Sequence, residues 1–236
     1  MVPAVIDRLL ASSPGTLGCW YNAYKAYRWG DPYIRLISSL ADKTRLAIDI
    51  GAHRGDYTFF LRRYARGCIA FECNPALAAH LRRLYGNSVD IRSDAVSDRS
   101  GTAELRIPTD EATGLGRATI EPTNPLAREF PAFNFVTVRT VRLDDAVTGP
   151  VGLIKVDVEG HEMAVLRGAI RILERDRPNL ILELEERHAV GCVAEAFAFL
   201  GRLGYRGYGL QNGRLVEVQP NSVLELAVNY VFTRAT

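Results

Sequence analysis

No run of this sequence is apolar for the roughly 20 residues that a membrane-spanning helix requires, so a transmembrane helix is excluded. The first residues, MVPAVIDRLLASSPG, carry Asp7 and Arg8 inside their short apolar stretch, where an export signal would be uncharged. The four cysteines, Cys19, Cys68, Cys73 and Cys192, show no C-x-x-C spacing. Cys68 and Cys73 share one apolar run five residues apart, which assigns them to opposite faces of a strand and argues against a local disulfide. A reducing, cytoplasmic setting is the expectation. Neither sign of charge is in excess: the formal net charge is +2 with 24% charged residues, so no nucleic-acid or membrane partner is announced. Arg62-Arg63 and Arg82-Arg83 then read as solvated helix faces. Internal repeats, low-complexity tracts and a dividing linker are also missing, and residues 1–236 read as one domain.

What is present is a regular alternation. Arg45–Ile50, Gly67–Phe71 and Ser88–Arg92 are short apolar runs separated by helical patterns over Asp56–Tyr64 and Pro75–Leu84. Val151–Val158, Glu162–Leu173 and Asn179–Leu184 restore the rhythm, and Ala194–Leu203 is a further helix stopped by Gly204. This is the signature of βαβ units, and the predicted fold is α/β, a Rossmann-like, doubly wound, mostly parallel sheet. Tyr205–Leu210, the Gln211-Asn212-Gly213 turn and Val223–Thr233 predict an antiparallel C-terminal finish. Thr102–Ile107 and Phe135–Leu143 alternate as outward-facing strands flanking a loop. Residues 1–44 are a short helical extension, with helices over 3–11 and 31–41 around an aromatic stretch, Trp20 to Trp29. That stretch is read as core or as the face of a homo-oligomer.

Ligands of open α/β sheets bind beyond the carboxyl ends of the strands. The first strand runs into Asp49-Ile50-Gly51-Ala52-His53-Arg54-Gly55-Asp56-Tyr57-Thr58. Its glycine spacing is G-x-x-x-G, with His53 where a dinucleotide fold needs the middle glycine of G-x-G-x-x-G, which weakens a nicotinamide reading. Glu72 ends the second strand 21 residues after Gly51, the place of a ribose-clamping acid. Asp94 follows the third strand, placed to meet an adenine amino group or to cap the turn at Ser93–Ser97. The fourth strand turns polar in Lys155-Val156-Asp157-Val158-Glu159-Gly160, and period two sets Lys155, Asp157 and Glu159 on one face. Leu182-Glu183-Leu184-Glu185 repeats the pattern. Crowded carboxylates need a cation, a proton or a metal for balance, and such clusters mark functional sites. Asp157 and Glu159 are the candidate bases. His161 is a weaker third, readable as a solvent-facing first-turn residue. Its His-Glu pair does not continue to H-E-x-x-H, which excludes a zincin.

Residues Ala47 to Thr58, then Phe71-Glu72-Cys73-Asn74-Pro75, then Ile154-Lys155-Val156-Asp157-Val158-Glu159-Gly160-His161-Glu162 together resemble the FkbM family of methyltransferases. Arg142 to Asp145, Val165 to Ala169 and Pro178 to Glu183 agree, and the resemblance spans about residues 45–234. It implies a class I methyltransferase fold, S-adenosylmethionine as donor, and a hydroxyl of a sugar, glycan or polyketide-like product as acceptor. Two residues depart from the family pattern: His53 stands where Asn is usual, and Cys73 where Pro is usual. The cofactor contacts implied are Asp49, Gly51, Ala52, His53, Gly55, Tyr57, Thr58, Glu72, Cys73, Asp94, Ala95 and Asp157. No resident metal is expected. A metal-assisted variant would use Asp157 and Glu185, and a non-catalytic S-adenosylmethionine-binding module would dispense with the fourth-strand acids. A nucleic-acid methyltransferase would carry an Asn/Asp-Pro-Pro-aromatic motif where this chain has Asp-Val-Glu-Gly. Residues 108–134, with Gly114, Gly116, Pro122, Pro125 and Pro131, are too long for a simple connector and are expected to form a substrate lid.

Overall fold

The computed structural model describes residues 16–110, 117–125, 128–219 and 228–234. The strands follow the alternation of the sequence. β1 (Leu46–Ile50), β2 (Gly67–Phe71), β3 (Asp90–Arg92), β7 (Val151–Val156) and β8 (Asn179–Glu183) run parallel. They join β9 (Tyr205–Gln211), β10 (Arg214–Glu217) and β11 (Asn229–Arg234) in one eight-stranded sheet of order β10-β9-β11-β8-β7-β1-β2-β3. β11 is antiparallel to both neighbours, and β9 and β10 form a hairpin over Asn212-Gly213. Both turn residues have positive φ (49° and 75°), as a two-residue hairpin loop requires. The expected Rossmann-like sheet of the class I methyltransferase type with an antiparallel finish is therefore observed. Strand order reverses between β1 and β7, and that is where such sheets open a crevice.

Every residue of β7 is buried, because helices cover both faces of the sheet. On one side Ile48, Ile50, Ile154, Leu180 and Phe232 pack against Leu166, Ile172 and Leu200. On the other, Ala47, Leu153, Ile181 and Val231 pack against Ile37, Leu61 and Leu81. The helices on this second side are α1 (Thr16–Trp29), α2 (Ile37–Leu40), α3 (Asp56–Tyr64) and α4 (Pro75–Tyr85). A 3-10 turn over Pro32–Leu36 precedes α2, capped by Asp31, whose carboxylate accepts from the Tyr33 N–H at 2.9 Å. The expected helix over 31–41 is thus two short pieces, and the expected helix over 3–11 lies outside the described residues. Among the described residues of α1, Ala23 and Ala26 are buried, while Trp20, Tyr24 and Tyr27 stay about half exposed and Trp20 packs edge-on to Phe59 at 5.1 Å.

Three elements differ from expectation. β5 (Gly101–Pro108) and β6 (Phe133–Val141) pair with each other and with β4 (Ala95–Val96) in a separate three-stranded sheet, so they form a layer of their own. α5 (Leu143–Ala146) follows it. The helix expected over Glu162–Leu173 is broken into α6 (Glu162–Arg167) and α7 (Ile170–Arg175). Gly168 sits at the break with the Ser97 carbonyl so close that a Cβ would stand 2.0 Å from its oxygen. Its own carbonyl accepts from the Asp144 N–H instead of continuing a helix. Cys73 lies beyond the end of β2, in the turn before α4, and so does not share a strand with Cys68. The last helix, α8 (Cys192–Arg202), packs beside β9.

Candidate active site

The chain leaves β1 through a left-handed Gly51 (φ 80°), whose N–H, with that of Ala52, donates to the Phe71 carbonyl. The Ile50 carbonyl accepts from Asp157 N–H at 3.0 Å, so the exits of β1, β2 and β7 are laced together. Gly51 is where they touch: a Cβ there would lie 1.7 Å from the Asp157 carbonyl oxygen. Gly55 has a different reason to be glycine. It is left-handed (φ 89°) and pressed against Tyr85 and Leu81 of α4, and its carbonyl accepts from Tyr85 Oη at 2.7 Å. It packs a helix and lines neither of the two cavities described here. Thr58 is likewise fully buried, donating to Asp49 Oδ2 at 2.5 Å.

The first cavity, of about 120 Å³, has an apolar floor that includes Ile50, Phe71, Leu77, Val96 and Leu105. Glu72, Cys73, Asp94, Ala95, Asp157 and Glu159 also line it. The Glu72 carboxylate accepts from the N–H groups of His53 (2.7 Å) and Asn74 (2.8 Å), binding the β1 turn to the β2 turn. Burial pushes Glu72 up to about 7, and the two N–H donors restrain the rise. Asp94 pairs with Arg139 at 2.5 Å. Burial pushes the Cys73 thiol up to about 12, so it lines the wall as a neutral group.

The second cavity, of about 210 Å³, lies across Gly51, His53 and Asp157, which line both, and adds Asp31, Asp49, Ala52, Asp56, Tyr57, Lys155 and Glu183. Strand register explains the grouping. Asp49 pairs with Lys155 across β1 and β7, and Glu183 with Asn229 across β8 and β11. Lys155 is 3% exposed, 2.7 Å from Asp157 and 4.9 Å above the Tyr57 ring. Burial alone would lower its ammonium, but Asp157 and Asp49 hold it above its usual range. Burial likewise works to raise Asp157, and Lys155 reverses that and keeps it low. Glu183, half-buried beside Asp157, is raised by its partial burial and by the Asp157 charge. Asp49 Oδ1 and His53 Nε2 are buried with no hydrogen-bond partner. Arg54 lines this cavity too, so two cationic side chains, Arg54 and Lys155, stand among the acidic side chains of Asp31, Asp49, Asp56, Asp157 and Glu183.

β7 ends at Val156, so period two does not carry to Glu159. Glu159 (φ 54°) and Gly160 (φ 97°) are both left-handed, and Glu162 Oε1 accepts from the N–H groups of Val158 and Gly160, winding the segment back. Val158 consequently lines the first cavity together with Asp157 and Glu159. The Glu159 carbonyl accepts from Thr119 Oγ1 (2.9 Å) and Asn124 Nδ2 (2.6 Å), and its carboxylate lies 3.5 Å from Arg117 and 3.0 Å from His188. Burial, then the charge of Asp157, push Glu159 up to about 8.

His161 is not solvent-facing. Nδ1 meets Glu121 and Nε2 meets Ser97 Oγ, each at 2.9 Å. Both ring nitrogens have partners within the chain, and the ring lines the first cavity. Asp157 and Glu185 each face a cation of the chain, Lys155 and Arg187, and no group of three or more His, Cys, Asp or Glu among the described residues is placed to hold a metal. Three site residues were not singled out from the sequence. Arg117 and His188 carry no local motif, and Asp31 lies in the extension, where Tyr57 Oη donates to it at 2.5 Å and Asn229 Nδ2 at 3.0 Å.

No curated protein matches the chain. Among solved structures, a methyltransferase FkbM from Methylobacillus flagellatus KT superposes with a TM-score of 0.53 at 13% identity, covering 96% of this chain and 57% of that one. The chain thus spans little more than half the length of that relative. A methyltransferase from Streptococcus mutans, crystallised with S-adenosylhomocysteine, gives a TM-score of 0.50 at 12% identity over 86% of this chain and 96% of that one. These likenesses establish the fold. The methyltransferase FkbM domain matches residues 49–206, from the acid of β1 to the start of β9, and the chain belongs to that family of methyltransferases.

Proposed function

We propose that the protein is an S-adenosylmethionine-dependent O-methyltransferase acting on a hydroxyl of a sugar, glycan or polyketide-like acceptor. The observation that carries this reading is the split crevice at the β1/β7 switch: an apolar cavity rimmed by Glu72 and Asp94, joined through Gly51, His53 and Asp157 to an acid-rich one. Glu72, Cys73, Asp94 and Ala95 would hold the nucleoside, and Asp49, Ala52, His53, Tyr57 and Asp157 the charged amino-acid end. The unpartnered Asp49 Oδ1 and His53 Nε2 fit such a ligand. When bound, S-adenosylmethionine supplies a methyl group on a cationic sulfonium. The chain contributes placement, exclusion of water and a base. Glu159 fits the base better than Asp157, because Lys155 holds Asp157 ionised and weakly basic while burial pushes Glu159 up to about 8. We assign the protein to the cytoplasm, with small-molecule or glycan acceptors and no nucleic-acid partner, and read the exposed aromatic face of α1 as the contact between copies.

Calorimetry with S-adenosylhomocysteine and NAD tests the donor. S-adenosylhomocysteine binds, NAD does not, and Glu72→Ala weakens binding by about 1.5–3 kcal/mol, the range for hydrogen bonds to a charged group. Binding of NAD alone would overturn the reading.

Within residues 108–134, Ala118, Thr119 and Ile120 wall the first cavity, while Glu121, Thr119 and Asn124 are tied to His161 and to the Glu159 carbonyl. The reading makes this segment the lid of the acceptor pocket. Protease cleavage within it should slow when S-adenosylhomocysteine is present, and an unchanged rate would count against closure.

A further inference from the structure

Glu159 Oε2 and His188 Nε2 are buried, 3.0 Å apart, and neither has a hydrogen-bond partner of good geometry. Two orphaned polar atoms at contact distance are costly and call for a reason. Their backbone settings show that the approach is built. Glu159 is held in a left-handed conformation that an L-residue adopts at a cost, and its carbonyl is clamped by two donors. The His188 N–H donates to the Glu185 carbonyl at 2.9 Å, fixing the turn that carries the imidazole. Gly160 lets the two segments close, since a Cβ there would stand 3.3 Å from His188 Cβ and from Asn124 Nδ2. Glu159 lines the first cavity, and His188, 5% exposed, stands behind it.

We propose that His188 is the positioning residue of Glu159: the pair holds no shared proton while the carboxylate is ionised, and takes up a single one, shared between them, when Glu159 accepts the proton of the acceptor hydroxyl. The proposal rests on the function proposed above. In the step, the acceptor O–H bond breaks and its electron pair stays on oxygen to form the new O–methyl bond, the sulfur–methyl bond of S-adenosylmethionine would break with its pair left on sulfur as the thioether, and the proton comes to rest between Oε2 and Nε2. The surroundings suit one proton rather than two charges. Asp157, Glu185, Arg117 and Arg187 face Glu159, while Glu185, Arg187, Arg117 and Glu129 face His188. Burial drives the imidazole below its usual range, with Glu185 opposing, and drives the carboxyl above its own, so both prefer their neutral forms.

The test is an NMR titration of the full chain with labelled histidine rings and glutamate carboxyl carbons, in wild type, Glu159→Gln and His188→Gln. It needs no acceptor. In wild type the His188 ring should report the ionisation of Glu159, whose carboxyl burial pushes up to about 8, and Glu159→Gln should abolish that step. The Glu159 carboxyl midpoint should move in His188→Gln, and His188→Gln should bind S-adenosylhomocysteine within about threefold of wild type. A His188 ring indifferent to Glu159→Gln, or a Glu159 midpoint identical in His188→Gln, would overturn the pair. A wild-type chain that shows the paired titration but binds no S-adenosylhomocysteine would overturn the proposed function and leave the shared proton standing.

Discussion

Gly51→Ala is expected to abolish S-adenosylhomocysteine binding and to lower the unfolding temperature sharply. The new methyl carbon would sit 1.7 Å from the Asp157 carbonyl oxygen and 2.9 Å from its carbonyl carbon, both backbone atoms. Neither side can yield cheaply. Moving Asp157 breaks its N–H bond to Ile50, and moving Gly51 breaks the bonds of residues 51 and 52 to Phe71. Residues 51 and 157 line both cavities, so any shift opens the site at its waist. The left-handed φ adds only about 1–2 kcal/mol for an L-residue. Gly191→Ala isolates that smaller cost, because Gly191 has a similar φ (83°) and a methyl group added there would meet no atom within 4 Å. Thermal unfolding and calorimetry on both variants check the claim. A Gly51→Ala protein that melts with Gly191→Ala and binds like wild type would refute it.

Glu159→Gln is expected to cut turnover by about 10²–10⁴-fold while leaving affinity for S-adenosylhomocysteine far less changed. Glutamine keeps the shape and removes the proton-accepting oxygen. In wild type only the ionised carboxylate accepts a proton, and it ionises above about 8, so turnover should rise with pH through that value. Glu159→Gln should flatten the rise. Asp157→Asn should behave differently. It leaves Lys155 buried with one counter-charge fewer, which should cost about 3–5 kcal/mol of stability and weaken cofactor binding along with turnover. Full turnover of Glu159→Gln, on any acceptor that the wild type methylates, would remove Glu159 as base.

Much of this architecture is legible in the order of residue types. Short apolar runs ending in Gly51, Glu72 and Asp157 announce parallel strands with a crevice at their carboxyl ends, and those three residues do meet there. Local pattern misleads where tertiary contact overrides it. Period two places Glu159 on the face of Asp157, but two left-handed residues and the Glu162 carboxylate turn the chain after Val156. A helical pattern runs through Gly168, yet the Ser97 carbonyl occupies the space where the helix would continue. Gly55 looks like a ligand-facing glycine because its spacing from Gly51 is regular, while its neighbours Leu81 and Tyr85 come from a later helix. Asp157 and Glu159 stand equal as candidate bases in the sequence, and it is the Lys155 ammonium, 2.7 Å from Asp157, that divides them. That division depends on burial and distance, which no spacing encodes. Arg117, His188 and Asp31 were illegible for the same reason, since each reaches the site from a segment with no motif of its own.

Asp31 joins parts of the chain that are synthesised far apart. Its carboxylate accepts hydrogen bonds from Tyr57 of α3 and from Asn229, 198 residues later in β11. The second cavity is therefore finished only when β11 has inserted between β8 and β9. A ribosome-bound chain released from the exit tunnel up to β8 would hold Gly51, Glu72 and Asp157 and still lack the contact that ties Asp31 to the sheet. That end of the crevice is therefore completed only with β11, and a translation product cut short before it would lack the tie between Asp31 and the sheet.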